Sequence, residues 1–105
     1  MQNLNFGLSA AKQARLTKSG AESIAIEVLT FLVADPVLLD RFLALSGIGL
    51  NNLRAAAAEP GFLAAILDYL GSDEKLLLTF SAKAGENPET IMKAREILSA
   101  SVETP

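Results

Sequence analysis

The stretch "LRAAAAEPGFLAAILDYL", Leu53 to Leu70, carries two helical patterns with Glu59–Pro60 between them. A proline forces the residue before it out of the helical region, so one continuous helix is excluded. The first half is short and rich in alanine, which permits a neighbour to approach closely. In the second half Phe62, Leu63, Ile66, Leu67 and Leu70 recur at helical spacing, with Asp68 on the opposite side. This is a core stripe, and it sets the fold as packed helices.

The same punctuation runs through the rest of the chain. "SGAE" at Ser19 to Glu22 has the form of a capping box. Asp35–Pro36 and Asn87–Pro88 each pair a capping acceptor with a proline at the first helical position, where its missing N–H costs nothing. Glu59–Pro60 resembles the same device with a poorer cap. Ser72 is expected to cap "DEKLLLTF", with Asp73 and Glu74 in a first turn that favours acids. Gly47, Gly71 and Gly85 each end an apolar stretch, where a left-handed residue is expected. Helices are therefore predicted at about 20–34, 36–46, 52–58, 60–70, 73–84 and 88–100, with a further turn near 8–16. No segment alternates with period two, so no strand is predicted. The expected fold is all-α, a compact orthogonal or antiparallel array of about six short helices, with 19–101 as one domain. Residues 1–18 are expected to form a partly ordered basic arm and 102–105 a tail.

The second helix offers Leu38, Leu39, Phe42, Leu43 and Leu45 to a core, with Asp40 and Arg41 outside. The last offers Ile91, Ala94 and Leu98, with Glu89 and Lys93 four apart on the solvent side. The first helix differs. Its polar positions, Ser23, Glu27 and Thr30, fall with Ala34 on one narrow strip, and apolar residues fill the remainder. Such a helix is either central or keeps a spare face for a partner. Ile26, Leu29 and Val33 are the candidate interaction surface.

Half of the 105 residues are hydrophobic and 20 % are charged, enough for one core. Without cysteine there is no disulfide, thiolate metal site or thiol nucleophile. Without histidine the commonest general base and transition-metal ligand is missing as well. The net charge of −3 argues against nucleic acid as a partner. The charge is uneven: Lys12, Arg15 and Lys18 precede the first acid, Glu22. That start is read as a basic arm, although an acid-poor opening can mimic a transit peptide. The apolar segment "VLTFLVA", Val28 to Ala34, is far below the roughly 20 residues that span a bilayer.

"FLALSGIGLNNLRAAA" and "FSAKAGENPETIMKA" form a faint repeat in which Phe42 meets Phe80, Ala44 meets Ala82, Gly47 meets Gly85 and Asn51 meets Asn87. The second copy, within 80–97, resembles the turn of helix-turn-helix DNA-binding domains. Gly85 would be the turn glycine, Ile91 the buried residue of the recognition helix, and Lys83, Lys93 and Arg95 the DNA contacts. Against it, Glu86, Glu89 and Glu96 offset those cations, and Glu86 stands where the motif is usually apolar. Asp35, Glu59, Asp73 and Glu74 are explained as helix-start residues, and "GIG" lacks the lysine and hydroxyl of a phosphate loop. Tyr69 is read as a half-exposed packing residue. No catalytic, metal-binding or cofactor-binding residue is assigned, no cofactor is expected, and the protein is not expected to be an enzyme.

From Ser19 to about Leu98, "DPVLLDRFLALSG", "LRAAAAEPGFLAAILDYL" and "DEKLLLTFSAKAG" with Pro88–Glu89 resemble a small alphaproteobacterial family, a domain of unknown function. The resemblance implies a bacterial, cytoplasmic, all-helical protein and no particular chemistry. It leads one to expect Asp-Pro at the start of the third helix; Asn51–Asn52 keeps a cap and loses the proline. The biochemical role stays unknown at this level. The expectation is a small helical interaction or adaptor domain whose partner is another protein or a second copy. A DNA-binding regulator and a carrier of an apolar small molecule are the alternatives.

Overall fold

Thr17 opens the first helix. Its extended backbone turns the chain in, and its hydroxyl oxygen accepts from the Gly20 N–H at 3.0 Å. The computed structural model describes residues 16–59 and 61–103, leaving aside the side chains of 101–103. Among these residues are six α-helices and one 3₁₀ turn, with no strand. In order they are α1 (Lys18–Val33), α2 (Pro36–Ser46), the 3₁₀ turn (Leu50–Asn52), α3 (Leu53–Ala57), α4 (Phe62–Gly71), α5 (Glu74–Ala84) and α6 (Pro88–Glu103). The array is all-α, as the spacing of caps and stripes predicts.

The central element is α1. It packs against α6, α4, α2 and α5, and it buries Ala21, Ile24, Ala25, Val28 and Leu32. Across it, α4 buries Phe62, Ala64, Ile66, Leu67 and Leu70, and α6 buries Ile91, Ala94 and Leu98. Asp68 is exposed on the far side of α4, as expected. Two edge-on aromatic contacts tie α2 to α4: Phe42 meets Phe62 at 6.2 Å and Tyr69 at 5.1 Å between ring centroids. Phe31 meets Phe80 in the same way at 5.3 Å, linking α1 to α5.

Several local expectations are corrected. The "SGAE" box does not form, because the cap is Thr17, two residues earlier, and Ser19 lies inside the helix. Ser72 does not cap α5; Asp73 does, accepting from the Leu76 N–H at 3.1 Å, while the Ser72 hydroxyl donates to Tyr69 O at 2.7 Å and finishes α4. A carboxylate at the cap is also placed better against the helix dipole than a hydroxyl. Gly71 is not left-handed. It is the last residue of α4, and a Cβ there would stand 2.8 Å from Met92 Cε, so it is a close-approach glycine between α4 and α6. Gly47 and Gly85 do take positive φ, 77° and 71°.

Glu59 is not a side-chain cap. Helix α4 starts at Phe62 with no capping side chain, and the Phe62 N–H instead donates to the Glu59 carbonyl at 3.1 Å. Pro60 itself lies outside the described residues, as does most of the turn expected near 8–16. Asn52 likewise makes no capping bond; the 3₁₀ turn leads straight into α3. Leu45, expected in the core, is 72 % exposed. Only one side of α2 is covered, with Phe42 at its centre, and the last turn extends past that cover.

Candidate interaction surface

The face of α1 turned away from the core is set by the same periodicity that buries the other. Ser19, Ser23, Ile26, Glu27, Thr30, Val33 and Ala34 are all exposed, at helical spacing of three and four. Ile26 is 52 % and Val33 47 % exposed. Glu27 is the one charged residue exposed between Ser19 and Ala34. The Thr30 hydroxyl donates to the Ile26 carbonyl at 3.0 Å, which satisfies the donor inside the helix. Of the three residues assigned to this surface from sequence, Ile26 and Val33 lie on it. Leu29 is partly buried against the core and forms its edge.

Past the Asp35–Pro36 corner Val37 is a further exposed apolar residue, at 66 %, which the sequence reading did not single out. Asp35 holds that corner by accepting from the Val37 and Leu38 N–H groups at 3.0 and 3.5 Å. Val37 stands one residue past the proline that starts α2, a position in the first turn that the core stripe of Leu38 and Phe42 skips. That was the available signal.

The residues of the helix-turn-helix reading lie at the end of α5 and along α6. Lys83 and Lys93 are exposed, but the Arg95 guanidinium is engaged by Asp68, with Nε 3.2 Å from a carboxylate oxygen. Gly85 and the buried Ile91 sit as that motif requires. Glu86 lies half-buried at the turn, where its N–H donates to Ser81 O at 3.1 Å and its carbonyl accepts from the Ser81 hydroxyl. These two bonds finish α5 as a capped end. Asn87 then caps α6, accepting from the Glu89 N–H at 2.8 Å. Glu89 and Lys93, expected as a pair, make no ion pair within 4.0 Å.

A groove of about 650 Å³ runs between α1 and the turn joining α5 to α6. Ser23, Glu27, Glu86, Asn87 and Thr90 line it beside Ile24 and Leu16. Glu27 and Glu86, far apart in sequence, both line it, which no local sequence signal shows. Among the described residues no three carboxylates are grouped so as to hold a metal ion. No described helix is long and apolar enough to cross a membrane.

The stretches that make these helices are the ones that carry the family likeness, and residues 18–101 match the family described as "Protein of unknown function (DUF3572)". The chain belongs to the DUF3572 family. The matched region runs from the first residue of α1 to the last turn of α6, so the DUF3572 unit and the helical array coincide. No curated protein and no solved structure matches the chain.

Proposed function

We propose that this DUF3572 chain is a small helical protein-interaction domain, without catalytic activity of its own, that docks through the outward face of α1. The observation that carries the reading is the exposure of Ile26 and Val33 on the helix that otherwise organises the core. β-Branched residues are no better than neutral in a helix, so at solvent-facing positions they add nothing to its stability. They do gain stabilisation when a partner covers them. The compartment that goes with this reading is the bacterial cytoplasm, an expectation that rests on the family resemblance alone.

The alternatives have less support. The DNA reading is opposed by the net charge of −3 and by Glu86, Glu89 and Glu96, which offset its three cations. The carrier reading asks for a pocket lined by Leu, Ile and Phe, whereas the groove beside α1 has polar and acidic walls.

The test is a pull-down from the native cell with wild type and the double variant Ile26→Asp, Val33→Asp. Both positions are exposed, so the variant is expected to keep its helical circular dichroism. Wild type is expected to retain a protein that the variant loses. Identical captures from the two would overturn the reading.

A further inference from the structure

We propose that the groove between α1 and the α5–α6 turn takes the chain's own basic segment, Lys12 to Arg15, folded back along α1. This goes beyond the interaction reading and does not depend on what meets Ile26 and Val33. Gly20, Ser23 and Glu27 run along one wall of the groove at helical spacing, and Glu86 belongs to the other. Leu16 lines the same groove, so the chain that precedes it starts at the groove's own edge.

Charge selects the kind of occupant. Glu27 and Glu86 line the groove, and among the described residues no lysine or arginine does. The one ion pair among those residues joins Arg95 to Asp68, so both groove carboxylates lack a cation within 4.0 Å. Such walls favour a cationic segment and disfavour an anionic one. Immediately before Leu16 the sequence reads "KQAR", with two cations and no acid. These cations precede the N-terminus of α1, where the helix dipole is positive and opposes them. Carboxylates in the groove offset that repulsion.

Reach agrees with charge. Glu27 stands nine residues beyond Lys18, about 14 Å along the helix. The four residues from Lys12 to Arg15 span about 13 Å when extended. Turned back at Leu16, they bring the Lys12 ammonium within reach of Glu27 and keep Arg15 at the entrance.

Paramagnetic relaxation in the full chain reads this contact. The chain has no cysteine, so Ala11→Cys carries a nitroxide at one known position. The amides of Ser23, Glu27, Glu86 and Asn87 are expected to broaden more than those of α3, which packs on the 3₁₀ turn and α4. Lys12→Glu, Arg15→Glu turns both attractions into repulsions. One exposed ion pair changes occupancy by up to about fivefold, so the double reversal is expected to lower it by up to about thirtyfold, and the broadening with it. Salt at about 1 M, where the screening length falls to about 3 Å, should weaken the broadening as well. Adding Glu27→Lys, Glu86→Lys to the reversed chain restores opposite signs and should bring it back, with circular dichroism as the check on the helices.

Groove amides that stay sharp overturn the proposal, and so does broadening that survives Lys12→Glu, Arg15→Glu. A nitroxide-bearing chain mixed with an isotope-labelled chain without nitroxide separates the sources of the segment. Sharp amides in that mixture support the chain's own segment. Equally strong broadening there means that a second copy supplies it, and the proposal falls.

Discussion

Ile66 has no solvent exposure, and Asp68, two residues along the same helix, is exposed with its carboxylate on Arg95. The two positions measure the two sides of α4. Ile66→Ala leaves a cavity in the buried cluster and is expected to cost roughly 2–5 kcal/mol. Asp68→Ala removes one exposed ion pair and is expected to cost under about 0.5 kcal/mol. Urea unfolding of both variants checks this; equal costs would mean that the stripe is not core. The glycines divide in the same manner. At Gly85 nothing stands within 4 Å of where a Cβ would be, so Gly85→Ala meets only its φ of 71° and is expected to cost about 1–2 kcal/mol. At Gly71 the obstacle is Met92 Cε, the tip of a flexible side chain, and no positive φ is involved. Gly71→Ala should therefore be the milder change, and thermal midpoints that rank the two the other way would contradict this account.

The caps decide where each element starts. Asp73, not Ser72, accepts from the first turn of α5, so Asp73→Ala is expected to cost about 1 kcal/mol and Ser72→Ala clearly less. Thr17→Ala and Ser19→Ala should separate in the same sense at α1. Chemical denaturation of the four variants gives the comparison, and a costlier Ser72 or Ser19 would reverse the assignment. These are also the places where the sequence was least legible. Each candidate serine or threonine has another acceptor within two residues, and both fit the capping pattern locally. Which one wins depends on where the preceding helix stops. Asp35–Pro36 and Asn87–Pro88 were readable because the proline fixes the first helical position. The repeat was readable only as far as its glycines. Phe42 and Phe80 are both buried and Gly47 and Gly85 both left-handed, but Asn87 caps a helix where Asn51 enters a 3₁₀ turn. The stripe of α6 was legible because it has one apolar side, and that of α4 likewise, except that Leu63 is only partly buried and Ala64 joins the core. On α1, apolar on both sides, periodicity could name Ile26 and Val33 but could not tell that Leu29 belongs to the core edge.

At the scale of the molecule, one helix touches nearly everything and one touches almost nothing. Helix α1 packs on α6, α4, α2 and α5, and with α4 and α6 it supplies most of the fully buried side chains. Helix α3 spans only Leu53–Ala57, buries no residue completely, has no capping side chain, and packs on the 3₁₀ turn before it and on α4 after it. A helix that short is not stable by itself. It persists because Leu53, Ala56 and Ala57 rest partly buried against the core. Stability is then expected to be uneven along the chain. The inner amides of α1, α4 and α6 should exchange only when the whole domain unfolds, against a total of about 5–15 kcal/mol. The amides from the 3₁₀ turn through α3 should exchange by local opening, at least about two powers of ten faster. Native-state hydrogen exchange measures both at once. Raising denaturant should speed the slow set strongly and the fast set little, because local opening exposes little new surface. If Ala56 and Ala57 prove as protected as Ile66 and Val28, α3 is part of the cooperative core, and its alanines pack more tightly than their partial burial indicates.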